Sequence, residues 1–284
     1  MYFLLLLSNF ATTYKDSKDF VGNFYICTLV MATIGIFDSG VGGLSVFREI
    51  RKRLPGENYI YFSDSAHCPY GERTEEFIIN RCREITEFLL GKGADIIVVA
   101  CNTATAAAIK TLREEYPVQF IGMEPAIKPA AQMTKTGVVG VLATAGTLKS
   151  DKYLRHKEKY ASDIIIAEHV GEGFVELVEK GITSGPEAVN TVRHSLEPLI
   201  KAGADTIVLG CTHYPFLAEA IQEAGSEISN EKALQLIDPA PAIAKRLMEV
   251  MDAEGIPHNP ENGSVTLHTS GNKDILQRLY DSLI

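Results

Sequence analysis

The sequence predicts an α/β fold: two pseudo-symmetric lobes with mostly parallel sheets and a site in the cleft between them. Three observations predict it. From Thr33 onward, short apolar runs alternate with amphipathic stretches, the element order of an α/β protein. One unit then occurs twice, as Gly-Ala-Asp-Ile-Ile-Val-Val-Ala-Cys-Asn-Thr over 93–103 and Gly-Ala-Asp-Thr-Ile-Val-Leu-Gly-Cys-Thr-His over 203–213, an offset of 110 residues (211 − 101). Each copy also leads on to an acidic residue plus Pro after a short strand, Glu124-Pro125 and Asp238-Pro239, with Pro in the first turn of a helix. A weaker echo links 35–40 with 140–145. Duplication of one α/β unit accounts for these echoes. Crossovers near Pro125 and Pro239 make the first domain discontinuous, 31–128 plus 240–284, with 129–239 as the second.

Residues 1–30 read as a poorly ordered extension. Their apolar run, Phe3 to Leu7, is too short to span a bilayer, and the first basic residue, Lys15, follows it instead of preceding it. Strands are expected at 33–37, 59–63, 95–100, 118–122, 137–142, 163–167, 205–210 and 234–237. Most are continuous Val/Ile/Leu runs, as strands buried on both faces should be. The helix expected over 74–90 gathers Phe77, Ile78, Cys82, Ile85 and Leu89 on one face and stops at Gly91. Cys82 is thereby a small core residue.

With 284 residues, 46% of them hydrophobic, the chain can bury a sizeable core. Its net charge is −9 and it has no basic block, which argues against a nucleic-acid partner. The five cysteines are odd in number and form no Cys-x-x-Cys pair, so a reducing cytoplasm fits better than a disulfide framework. No Gly-x-Ser-x-Gly nucleophile elbow occurs, and no lysine stands out as a pyridoxal anchor.

Asp38-Ser39-Gly40-Val41-Gly42-Gly43 follows the first strand. Its glycines let a ligand approach the backbone, and a helix N-terminus there offers N–H groups to a small carboxylate. It does not read Gly-x-Gly-x-x-Gly, which argues against a dinucleotide. In Asp64-Ser65-Ala66-His67-Cys68-Pro69-Tyr70-Gly71, an ordinary turn explains the Pro and Gly, and Tyr70 is placed to close over a small ligand. His67 and Cys68 lack zinc-ligand spacing, so no metal is expected.

A strand-end cysteine is usually a buried small hydrophobe. The doubling argues otherwise here, because Cys101 and Cys211 are each followed by polar residues that make poor core. Strand carboxyl ends are where open α/β sheets bind ligands. Two opposed thiols can act on both faces of one carbon, the chemistry of a two-base racemase. A thiol titrates near ~8.5 and needs help to act as a base; Asp38 is the candidate helper on one side and His213 on the other.

The set Asp38-Ser39-Gly40-x-Gly42-Gly43, Pro69-Tyr70-Gly71, Ala100-Cys101-Asn102-Thr103-Ala104 and Gly210-Cys211-Thr212-His213-Tyr214-Pro215 resembles the glutamate racemases of the aspartate/glutamate racemase family, in the family's order and over 33–284. The resemblance implies a cofactor-independent isomerase that makes D-glutamate for peptidoglycan in the cytoplasm, and a homodimer with no membrane attachment. It implies that Cys101 takes the α-proton of D-glutamate and Cys211 that of L-glutamate, with Asp38, His213 and Glu179 in support. Substrate contacts are implied for Asp38, Ser39, Tyr70, Gly71, Asn102, Thr103, Thr144, Thr147, Thr212 and His213. One stretch departs: the family pattern Ala-Cys-Pro-x-Phe-Val-Pro-Leu-Val-Glu is replaced by Val170-Gly171-Glu172-Gly173-Phe174-Val175-Glu176-Leu177-Val178-Glu179. Glu179 matches; Gly171, Glu172 and Glu176 do not. The rival readings are a racemase acting on aspartate or a hydantoin, and a two-lobed protein that binds dicarboxylates without exchanging a proton.

A chain starting at Met31 is expected to be soluble and fully active. Expression of that chain beside the full-length one checks this, and a large fall in activity or solubility would show that residues 1–30 pack on the fold.

Overall fold

The computed structural model describes residues 32–160, 162–229, 233–259 and 263–283. The extension expected at 1–30, with Cys27, lies outside the described residues. Two sheets form, parallel at every described pairing. The first has the order β4-β3-β1-β2-β9, from β1 (Thr33–Asp38), β2 (Asn58–Ser63), β3 (Ile96–Val99), β4 (Gln119–Gly122) and β9 (Val265–Thr269). The second has the order β6-β5-β7-β8, from β5 (Val138–Ala143), β6 (Ile165–Val170), β7 (Thr206–Gly210) and β8 (Gln235–Ile237).

All eight expected strands are present. β3, β5 and β7 are buried throughout, as uninterrupted apolar runs require. β6 begins two residues later than its apolar run and takes in Glu168 and His169; on a sheet edge those polar side chains keep access to water. β9 was not expected. Its Val-Thr-Leu-His-Thr run is short and mixed, and it becomes a strand by pairing with the edge of β2.

Side-chain alternation divides each sheet between two helical layers. On the first sheet Ile34, Ile36, Ile96 and Val98 pack with α1 (Leu44–Arg53) and α10 (Ala240–Glu254). Phe37, Ile97 and Val99 pack with α2 (Glu75–Gly91) and α3 (Asn102–Glu115). Thr74 caps α2 by accepting from the Phe77 N–H at 3.3 Å, and Cys82 is fully buried there. On the second sheet Leu142, Ile207 and Leu209 face α8 (Gly185–Lys201). Val139, Val141 and Val208 face α4 (Ile127–Met133) and α6 (Asp151–Tyr160). Between these helices lie α5 (Ala145–Lys149), α7 (Phe174–Glu179) and α9 (Ala218–Ser229), and α11 (Lys273–Leu283) ends the fold.

The lobes repeat even in a packing detail. Gly35 in β1 receives Leu89 from the last turn of α2, and Gly140 in β5 receives Leu199 from the last turn of α8. An added Cβ would meet the leucine Cδ1 at 3.2 Å and 3.1 Å respectively, and at Gly140 also Ile207 Cδ1 at 2.5 Å. Gly140→Val is expected to overpack this contact and cost about 1–3 kcal/mol. Urea unfolding checks it; an unchanged midpoint would show that Leu199 and Ile207 yield freely.

Candidate functional site

In both sheets the chain leaves the first strand in one direction and comes back to pair on its other side. β1 runs to β2 and is then flanked by β3; β5 runs to β6 and is then flanked by β7. Loops diverge at such a switch point and open a crevice at the strand carboxyl ends. Asp38 ends β1 and Cys101 lies just past β3; Thr144 follows β5 and Cys211 follows β7.

Cys101 is the N-cap of α3, and its Sγ accepts from the Ala104 N–H at 3.4 Å. Its thiol donates to Ser39 Oγ at 3.5 Å and lies against Asp38. Burial pushes this thiol well above its ordinary value, and the Asp38 charge adds to that; the Ala104 N–H and Ser39 pull the other way. Asp38 is itself fully buried. Its Oδ2 accepts from the Gly43 N–H at 2.8 Å and from Thr212 Oγ1 at 3.3 Å, which joins the two sheets' loops. Burial raises its carboxyl, opposed by the charge of His213.

Around Cys211 the helper is an imidazole. His213 Nδ1 stands 3.8 Å from Cys211 Sγ, and Nε2 is 2.7 Å from Glu179 Oε1. Burial works against a charged ring, yet the thiols of Cys211 and Cys68 and the Glu179 carboxylate outweigh it and lift His213 well above its usual range. Glu179 also accepts from the Val41 N–H at 2.6 Å and from Ser65 Oγ at 2.8 Å. Burial alone would raise its carboxyl; His213 and these donors hold it below the ordinary value. Cys68 belongs to this group as well: burial pushes its thiol up to about 11, with His213 pulling it back.

The glycines after β1 make room for this arrangement. A Cβ at Gly42 would sit 2.3 Å from His213 Nδ1, and one at Gly40 would sit 1.9 Å from Glu179 Oε1. The N–H groups expected to greet a ligand there are instead held by protein carboxylates, Val41 by Glu179 and Gly43 by Asp38.

Threonines close the crevice from the α3 side. Thr103 Oγ1 is 3.0 Å from Thr144 Oγ1 and 3.4 Å from Thr147 Oγ1, and Thr144 donates to Thr147 at 3.0 Å. Asn102 Oδ1 is buried without a partner among the described residues. Gly71 packs closely against Thr144: an added Cβ would sit 3.0 Å from the Thr144 Cβ, tighter than ordinary contact. Tyr70 is buried, but its hydroxyl donates to Asp64 Oδ2 at 2.6 Å, so only its ring and backbone are free to meet a ligand. Asp64 and Arg81 were missed by sequence reasoning. Arg81 holds Asp64 at 2.8 and 3.0 Å, and His67 joins it at 2.9 Å. An acidic residue ending one strand and an arginine on a later helix carry no joint signal in sequence.

The family described as Asp/Glu/hydantoin racemase matches residues 34–247. The chain belongs to this family. A glutamate racemase of Pseudomonas aeruginosa (strain UCBPP-PA14) is 45% identical over 253 residues, covering 89% of this chain and 94% of that protein. A glutamate racemase of Pseudomonas syringae pv. tomato is 47% identical, covering 79% and 80%. Among solved structures, a glutamate racemase isoform of Bacillus anthracis superposes with TM-score 0.77 at 32% identity, covering 88% and 93%. The Escherichia coli glutamate racemase, in complex with L-glutamate and the activator UDP-MurNAc-Ala, gives 0.77 at 33%, covering 89% and 95%.

The departure from the family pattern at 171–176 leaves Glu179 in reach of His213. Gly171 is required where it stands, since a Cβ would lie 2.5 Å from the Tyr214 hydroxyl. Glu172 and Glu176 line a cavity of about 180 Å³ with Pro69, Gly71, Thr144 and Tyr214.

Replacing Glu179 by Gln removes one anionic partner at constant size, so His213 is expected to titrate at lower pH. A raised folded-state value contributes stability that is complete below the unfolded histidine value of about 6.5 and is lost as pH rises through the folded value. E179Q therefore lowers the upper edge of that window. NMR titration of His213 and stability against pH check it; an unmoved titration would show that Glu179 does not hold the ring proton.

Proposed function

We propose that the protein interconverts L-glutamate and D-glutamate by two-base chemistry, with Cys101 and Cys211 on opposite faces of Cα. The observation that carries this reading is that each thiol ends a strand at its own sheet's switch point and has its own proton partner: Asp38 beside Cys101, His213 beside Cys211. The glutamate racemases that match along most of the chain support glutamate as substrate.

In the L to D direction Cys211, as thiolate, takes the α-proton, and Cys101 as thiol delivers a proton to the opposite face. The reverse direction exchanges the roles. Burial beside Asp38 keeps Cys101 protonated, the state a donor needs. His213, oriented through Glu179, exchanges the proton of Cys211. The donor Ala104 N–H at the start of α3 is already aimed at Cys101 and stabilises its thiolate in the D to L direction. Ser39, Asn102, Thr103, Thr144, Thr147 and Thr212 supply hydroxyl and amide groups to the substrate's ammonium and carboxylates; the unpaired Asn102 Oδ1 supports this, since buried polar atoms normally have partners. Tyr70 and Gly71 wall the site, and no cofactor takes part.

The product serves peptidoglycan synthesis in the cytoplasm, and the chain acts as a homodimer; both statements rest on the family resemblance. No helix among the described residues is long and apolar enough to cross a membrane. The domain division at 31–128 plus 240–284 against 129–239 is supported by α10 packing on α1 and β9 pairing with β2.

Circular dichroism of L-glutamate incubated with the protein tests the activity, with L-aspartate run in parallel. The single thiol variants test the mechanism. Cys101→Ala keeps only the Cys211 base. It is expected to exchange the α-proton of L-glutamate slowly in heavy water without inverting it, and Cys211→Ala to do the same with D-glutamate. Racemisation by either falls by at least about 10²–10⁴-fold. Near-parental racemisation by either variant, followed by proton NMR, would remove that cysteine from the mechanism.

A further inference from the structure

Three segments that are distant in sequence converge beside the second thiol. Cys68 comes from the loop after β2, Glu179 from the end of α7 and His213 from the loop after β7. One donor atom from each lies within 4.8 Å of the others. We propose that Cys68, Glu179 and His213 form an inhibitory binding site for a thiophilic divalent cation, of which zinc is the type.

The donor set selects the metal. A thiolate with an imidazole and one carboxylate suits Zn²⁺, whereas Mg²⁺ and Ca²⁺ take oxygen ligands. Bonds of about 2.0–2.3 Å to a tetrahedral zinc place donors roughly 3.5 Å apart, so closing this cluster asks for movements on the order of 1 Å. Its members are already oriented. Ser65 Oγ holds Glu179 Oε2 at 2.8 Å, while the Val41 N–H holds Oε1. Such outer hydrogen bonds fix metal-ligating side chains. His67 does not compete for the cation, because its ring is turned to Asp64. Three protein donors leave a fourth position open.

The same atoms make the site inhibitory. A cation on this triad takes Glu179 from His213 and draws the ring from Cys211, at present 3.8 Å away. Metal binding and proton exchange at Cys211 then exclude each other. The inhibitory role rests on the proposed racemisation; the binding site does not. Cys68 neither takes nor delivers the substrate proton in the proposed reaction, so replacing it separates metal binding from racemisation.

The test uses the full chain and Co²⁺ as a spectroscopic probe, displaced by Zn²⁺. Expected are a near-ultraviolet thiolate-to-cobalt band, one Zn²⁺ per chain, and racemisation that falls with added Zn²⁺ and returns with a chelator. Cys68→Ser and Cys68→Ala are each checked for parental folding by circular dichroism, and inhibition is read against each variant's own metal-free rate. Both should lose the cobalt band, bind Zn²⁺ at least about 100-fold more weakly and resist inhibition. An unchanged band and unchanged inhibition in both variants would place the metal on Cys101 or Cys211 and overturn the proposal, as would the absence of any band in the parent. A Cys68-dependent band in a metal-free protein that does not racemise glutamate supports the site and counts against the proposed function alone.

Discussion

One carboxylate holds the cleft together. Glu179 accepts from the loop after β1 through Val41, from the loop after β2 through Ser65 and from the loop after β7 through His213. Loops from both sheets therefore converge on this half-buried carboxylate, which fixes the His213 ring beside the Cys211 thiol. For a fully buried pair, removing one partner costs about 3–5 kcal/mol because a charge is left without compensation; here His213 is the fully buried member. Replacing a glycine by alanine gains only about 0.4–1 kcal/mol through the unfolded chain. At Gly42 the added Cβ would displace the His213 ring, so the loss of the pair outweighs the gain and glycine is required there.

The two thiols are equivalent by chain repetition and unlike by environment. Both follow the strand beside the first strand of their sheet. Cys101 also caps a fourteen-residue helix and faces a carboxyl, whereas Cys211 enters a short 3₁₀ turn and faces an imidazole. Burial and the Asp38 charge raise the proton affinity of Cys101. A reversible two-base reaction needs one thiol protonated while the other is ionised. In the proposed mechanism the repeated placement sets one thiol at each sheet's crevice, and Asp38 and His213 give the two thiols unlike surroundings.

Much of this was legible in the sequence, for identifiable reasons. Uninterrupted apolar runs marked most of the eight strands because strands covered on both faces have no polar alternative. Edge strands escape that rule: β6 shifted toward Glu168 and His169, and β9 went unread because its pairing with β2 is not written in its own residues. Cys101 and Cys211 were legible because repetition made them stand out together. The Asp64–Arg81 pair and the Cys68–Glu179–His213 cluster were not. Contiguous ligand spacing is a property of a loop or a helix, whereas these groups meet only after two sheets have set three separate loops side by side.

The same distinction bears on Tyr70. Its position between Pro69 and Gly71 reads as a lid on a ligand, but the fold gives its hydroxyl to Asp64, which Arg81, His67 and Ser270 already surround. A carboxylate with this many donors stays ionised: burial would raise it, and Arg81 first among its partners brings it below its ordinary value. Tyr70 therefore anchors the loop that carries Cys68 and Gly71, and the hydrogen-bonding surface of the crevice is left to Ser39, Asn102 and the threonines. These neutral groups add no charge of their own, so the charged groups beside the thiols are Asp38, Glu179 and His213. The charges of a dicarboxylic amino acid then weigh directly on the two thiols and their unlike partners, the place where proton affinity has to be balanced.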